Sequence, residues 1–177
     1  DTGIRELFAP DAVYIESWGP EYHGADKIAW WFTEWNRRGT VERWDIRQFF
    51  HKGDQTVVEW TFANRMDDGR REVFEGMTLV RWTATGQIAR LQEFGCNLGR
   101  YDPYAHGPEP RFRDTVERWD IRQFFHRGDQ TVVEWIFANQ MDDGRQEVFE
   151  GMTLVRWTAA GQIARLQEFG CNLGRYD

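Results

Sequence analysis

The chain has 177 residues, 41% of them hydrophobic and 29% charged, and a formal net charge of −7. That length accommodates one domain or two small ones with an ordinary core. The acidic balance, with no basic stripe, argues against a nucleic-acid partner, and no apolar run approaches the roughly 18 residues that would cross a membrane.

No secretory signal is visible, so the expected location is cytoplasmic. Cys96 and Cys171 occupy the same place in two copies of one repeat and read as reduced intracellular thiols. No metal-ligand spacing or Gly-rich phosphate loop is present, and no cofactor is expected.

In chain order, residues 2–9 read as the end of a helix, with Ile4, Leu7 and Phe8 on one side and Pro10 ending it. A short strand over Ala12 to Ser17 follows, then a hairpin through Trp18, Pro20 and Gly24. Ala25 to Arg38 is a full helix: Ile28, Trp31, Phe32 and Trp35 recur at helical spacing, and Gly39 suits the position after its end. Trp30 lies off that stripe and reads as a packing residue at a domain or subunit contact, or as a pocket wall. Four strands come next: Val41 to His51, Gln55 to Met66, Arg71 to Thr83 and Ile88 to Asn97.

The chain then repeats itself. Thr115 to Asp177 restates Thr40 to Asp102, differing only at Lys52/Arg127, Thr61/Ile136, Arg65/Gln140, Arg71/Gln146 and Thr85/Ala160. The second copy has no helix of its own, because Pro103 to Asp114 carries three prolines and a glycine and reads as a linker. The expected organisation is therefore a domain over residues 1–102, a linker over 103–114 and a bare four-stranded sheet over 115–177. Natural duplicates drift, and these have scarcely drifted. The duplication is read as engineered or laboratory-recombined, with a recent natural event as the alternative.

Turn chemistry sets a strand register. A two-residue Asp68-Gly69 loop places Glu59 opposite Thr78 and Thr61 opposite Gly76, and a four-residue Ala84 to Gln87 loop places Thr78 opposite Glu93. One face then carries Trp44, Glu59, Thr61, Phe74, Thr78, Trp82 and Glu93. The other carries Trp60, Phe62, Met77 and Leu79. Both faces have apolar centres, so both need a cover.

On the first face Glu59 and Glu93 would lie about 9–10 Å apart, two strand spacings, among Trp44, Phe74 and Trp82. Carboxylates in apolar surroundings have raised pKa values, which suits a general acid or base near neutral pH. Glu59 and Glu93 are therefore the candidate catalytic pair; the alternative is that both are satisfied by nearby donors.

The motifs Leu7-Phe8-Ala9-Pro10-Asp11-Ala12-Val13-Tyr14, Tyr22-His23-Gly24, Thr56-Val57-Val58-Glu59-Trp60 and Gly86-Gln87-Ile88 leading to Glu93-Phe94 resemble the SnoaL-like branch of the nuclear transport factor 2-like superfamily. The resemblance implies an α+β cone, a curved antiparallel sheet wrapped on a helix, here with a second copy of the four-stranded antiparallel sheet. It also implies a hydrophobic pocket for a small apolar ligand, bordered by Tyr14, Trp18, His23, Trp44, Phe74 and Trp82. Isomerases and cyclases of this superfamily use an acid/base side chain in such a pocket, but no aspartate here matches their base by motif. Two functions stay open: a scaffold assembling through its sheet faces without assured catalysis, or a small-molecule-binding protein or acid/base enzyme.

The resemblance also implies pairing through the outer sheet face. The Trp135, Phe137, Met152 and Leu154 face is expected to pack on Trp60, Phe62, Met77 and Leu79. Ile136, read as lying on the pocket face, would then need a cover from a second chain, which makes a homodimer the expected partner arrangement.

Overall fold

The computed structural model of the chain describes residues 3–97, 107, 115–141 and 143–172. The expected linker over 103–114 lies outside the described residues apart from Gly107.

A short helix α1 (Gly3–Leu7) runs straight into β1 (Phe8–Ile15), so Pro10 sits within a strand rather than ending a helix. β2 (Glu21–His23) pairs antiparallel with β1, placing Tyr14 opposite Tyr22. Helix α2 (Ala25–Arg38) has the expected bounds and buries Ile28 and Ala29, while Trp30 is 64% exposed. Trp31 and Trp35 lie on its half-buried side, with the Trp35 ring 6.1 Å from Phe62 of the sheet. Trp30 is thus no pocket wall.

Strands β3 (Gly39–Lys52), β4 (Gln55–Met66), β5 (Arg71–Trp82) and β6 (Ile88–Asn97) form the first meander, and β7 (Thr115–Arg127), β8 (Gln130–Gln140), β9 (Gln146–Trp157) and β10 (Ile163–Asn172) the second. Hydrogen bonding links them in the order β3-β4-β5-β6-β10-β9-β8-β7, with β1 parallel to β6. The two meanders join where Gly170 of β10 meets Gly95 of β6. Those glycines are one position in the two copies, so a pseudo-two-fold relates the halves.

The halves also face each other. Phe50, Val57, Met77, Leu79 and Phe94 of the first meander share one core with Phe125, Val132, Met152, Leu154 and Phe169 of the second, and Ile15 joins them. Full burial of such a side chain contributes about 1.5–3 kcal/mol. Around this core the polar contacts come in symmetric pairs. Gln48 Nε2 donates to Gln130 Oε1 (2.7 Å) as Gln123 Nε2 does to Gln55 Oε1 (2.7 Å). Gln92 Nε2 donates to Glu150 (2.6 Å) as Gln167 Nε2 does to Glu75 (2.8 Å).

The expected register fails at the Lys52-Gly53 turn, where Lys52 pairs with Gln55, and with larger consequences at the Asp68-Gly69 loop. Met66 N donates to Arg70 O (2.8 Å) and Gly69 N to Met66 O (2.9 Å), so three residues, Asp67-Asp68-Gly69, make the turn. Asp68 accepts from the Arg70 amide (2.9 Å) and its Nε (2.8 Å), and Gly69 supplies φ +84°. A type I turn closed by a left-handed glycine is the standard three-residue hairpin. Glu59 therefore faces Met77, Trp60 faces Gly76 and Thr61 faces Glu75. A slip of one residue reverses every side chain on the strand.

Three expectations fall with it. Glu59 leaves the helix side for the core between the meanders. Trp60 and Phe62 take the helix side, so only Met77, Leu79, Met152 and Leu154 of the predicted contact meet. Thr61 and Ile136 lie on the inter-meander face, opposite Glu75 and Glu150, not beside a glycine. The expected four-residue loop is also shorter, since Thr83 N donates to Gln87 O (2.8 Å) around Ala84-Thr85-Gly86, but a register shift between Arg81 and Trp82 restores the Thr78–Glu93 pairing.

Candidate functional site

β1 lies parallel to β6 with Tyr14 beside Leu91 and Ile15 beside Gln92. Ile15 points into the inter-meander core, so its neighbours Tyr14 and Glu16 turn to the opposite face, beneath α2. The same register brings Glu16 level with Glu93. Two carboxyls thus meet where the strand hands over to the Trp18 to Pro20 turn, which is closed by Glu16 N donating to Pro20 O (3.0 Å).

Their surroundings differ. Glu16 is buried and accepts from the Trp18 indole (2.7 Å), the Tyr22 hydroxyl (2.7 Å) and the Trp31 indole. Glu93 keeps partial solvent contact and accepts from the Tyr14 hydroxyl. Tyr14 is itself fixed, edge-on to Trp31 at 4.7 Å and stacked on Tyr22 at 5.8 Å.

These environments move the titrations. Burial, then the charge of Glu16, pushes the Glu93 carboxyl up to about 7, against an opposing hydrogen bond from Tyr14. Burial also raises Glu16, but its three donors pull the other way. The Tyr14 hydroxyl is raised well above its usual value by burial, then by Glu93 and Glu16. Two carboxyls in unlike settings separate in role. Glu93 is the carboxyl that burial and its neighbour carry up to about 7.

The sheet side of the site is aromatic. Trp60 lies flat over Gly76 and donates its indole N–H to Thr78 Oγ1 (2.8 Å), and Thr78 is the direct cross-strand neighbour of Glu93. A Cβ on Gly76 would fall 2.3 Å from the Trp60 ring, so only glycine admits this ring position. Phe74 packs against Trp60 at 5.7 Å.

Of the residues picked from sequence, Tyr14, Trp18 and Glu93 come together. Phe74 and Trp82 share their face, Trp82 with its indole on Thr56 Oγ1 (2.9 Å). Trp44 is exposed on the edge strand β3, edge-on to Phe62. His23 turns to solvent, 3.2 Å from Glu21. Glu59 sits on the other face of the sheet, bonded to Gln48 (2.5 Å) and Arg47 (3.4 Å), so the Glu59–Glu93 pair does not exist. Sequence does not mark Glu16 as a site residue, and it places Tyr22 only in a family motif and Trp31 only on the helix stripe. The alternation Tyr14-x-Glu16 was the available sign.

Among the described residues, no cluster of three or more His, Cys, Asp or Glu could hold a metal, and no helix is long and apolar enough to cross a membrane.

The sequence pattern of the SnoaL-like domain matches residues 2–91, just over half of the chain. No match is found among curated protein sequences. Similar solved structures include a SnoaL-like protein from Mesorhizobium loti, 20% identical over 53% of this chain and 84% of that one, with a TM-score of 0.48. A Catenulispora acidiphila protein of ketosteroid isomerase-like fold is 22% identical over 53% and 72%, with a TM-score of 0.47. An LEH-like epoxide hydrolase of M. tuberculosis is 16% identical over 54% and 69%, with a TM-score of 0.48.

Proposed function

Because the chain belongs to the SnoaL-like domain family, of nuclear transport factor 2-like fold, we propose that Tyr14, Glu16 and Glu93 form an acid/base site for a small, largely apolar molecule bearing a carbonyl or hydroxyl. The observation that carries this reading is the Glu93 carboxyl, held near pH 7 by burial and by Glu16 while Tyr14 donates to it. Above that pH Glu93 is a base; below it, an acid. Tyr14 fixes its orientation, and the neighbouring Glu16 carboxylate makes Glu93 hold its proton more tightly. Phe74 and Trp82, half-buried on the same face, offer the molecule an apolar wall backed by Trp60. The second meander repeats Glu93 as Glu168 but, among the described residues, has no counterpart of Tyr14 or Glu16 beside it.

The test is deuterium exchange at the α-carbon of a hydrophobic cyclic ketone in D2O, followed by NMR. Exchange should exceed the buffer rate, rise through pH 7, and fall by about 100-fold or more in Glu93→Gln, the range for losing a general base. Exchange at the buffer rate, or unchanged in Glu93→Gln, overturns the reading.

A second reading is a scaffold assembled from a recombined single domain, with residues 1–102 as the cone, 103–114 as linker and 115–177 as an added sheet. The symmetric Gln48–Gln130 and Gln55–Gln123 contacts favour it, since they let one chain pair two sheet faces that separate chains would otherwise bring together. Such a chain could also associate further into a homodimer, which sedimentation at two concentrations would detect.

A further inference from the structure

The helix-side face of the second meander repeats a surface whose ligand is visible elsewhere in the same chain. On the first meander that surface is covered by residues 3–38: Phe8, Ala12, Tyr14 and Ile28 pack on Val80 and Ile88, with Leu91 alongside. None of the five positions that differ between the copies falls on this seat. Yet Ile88 is 5% exposed and its counterpart Ile163 is 55% exposed, and Leu166, the counterpart of Leu91, is 51% exposed.

Three further features are left open in register with that face. β6 receives β1 along its first half, whereas β10, among the described residues, pairs only with β9 and, at Gly170, with β6. The edge from Ile163 to Gln167 is therefore a template for an added parallel strand. Beside Gly95, Ser17 Oγ lies 3.1 Å from where a Cβ would stand; beside Gly170 that space is empty. Gln87 donates to the carbonyls of Glu6 (3.2 Å) and Phe8 (3.5 Å), while its counterpart Gln162 is exposed.

Among the described residues, each chain has two seats and one cover. Exchange of N-terminal segments between chains would fill one seat only by emptying another, so it gains nothing. We propose that the second meander is a binding site for a helix–strand segment of this chain's own residue 1–39 type supplied in trans, β1 adding parallel to β10 and α2 lying over Ile163 and Leu166.

The experiment titrates a synthetic peptide of residues 1–39 into the full chain by calorimetry, with hydrogen exchange read at the β10 amides. One peptide should bind per chain, and amides between Ile163 and Gln167 should become protected. Leu166→Glu and Ile163→Glu change exposed side chains, so folding and Tm should hold, while each weakens binding by about tenfold or more, the value of one buried aliphatic side chain. Absence of saturable binding overturns the proposal. So does binding that neither substitution weakens, which would put the peptide elsewhere. A concentration-dependent dimer blocked by Leu166→Glu and indifferent to the peptide would show that a second copy covers this face instead.

Discussion

Glu93→Gln replaces a titrating carboxyl by an amide of the same shape whose carbonyl still accepts the Tyr14 hydroxyl. In the folded chain the carboxyl titrates near 7, against an ordinary value of 4.5. A carboxyl raised by folding binds its proton more tightly in the native state than in the unfolded one. Its effect on stability is therefore nil well below 4.5, grows unfavourable as the pH climbs from 4.5 to 7, and is constant above. At about 1.4 kcal/mol per pH unit, the full cost is about 3 kcal/mol. Residual solvent contact and relaxation of Glu16 reduce what the substitution recovers to about 1–3 kcal/mol. Urea unfolding of both proteins from pH 5 to 8.5 measures it. The two should be nearly equal at pH 5, and Glu93→Gln should be the more stable by that margin at pH 8. A gap independent of pH, or a variant less stable at pH 8, would refute the reasoning.

Other outcomes follow from the inter-meander core. The Thr61 hydroxyl is buried with no hydrogen-bond partner among the described residues, and the second copy carries Ile136 there; Thr61→Val should raise stability by about 1 kcal/mol in urea. Arg47 bonds Glu75 at 2.6 Å and Glu59 at 3.4 Å, both buried carboxylates; Arg47→Ala should cost about 2–4 kcal/mol, and Arg122→Ala a similar amount through Glu150. Gly76→Ala drives a methyl group into the Trp60 ring and should cost about 1–3 kcal/mol, with a change in near-UV circular dichroism.

Much of this architecture is legible because local chemistry dictates it. The α2 bounds follow from the Ile28, Trp31 and Trp35 spacing with Gly39 behind, whereas the Thr78–Glu93 pairing is met because a register shift beside Trp82 offsets a loop one residue shorter than expected. The departure that moves the site lies at the loop after β4. Asp68-Gly69 has the form of a two-residue turn, but Asp68 serves better by capping Arg70 with Asp67 drawn into the turn, and that single extra residue moves Glu59 from the helix side to the inter-meander core. The site was half visible for a related reason. Glu93 lies on a strand whose register the sequence constrains, whereas Glu16 reaches it only through the parallel pairing of β1 with β6, a contact between residues more than 70 apart that no local pattern encodes. The substitutions between copies are partly explained: Gln146 keeps a contact to Glu117 at 3.1 Å where Arg71 holds Glu42 at 3.2 Å. Nothing in the structure explains Thr85/Ala160.

The acid/base reading rests on Glu93 holding its proton into the neutral range. Carbon-detected NMR of the side-chain carboxyl, with Glu93 assigned by comparison to Glu93→Gln, reads that titration directly in the intact chain. The structure predicts a midpoint near 7. A midpoint near the ordinary value of 4.5 would contradict it.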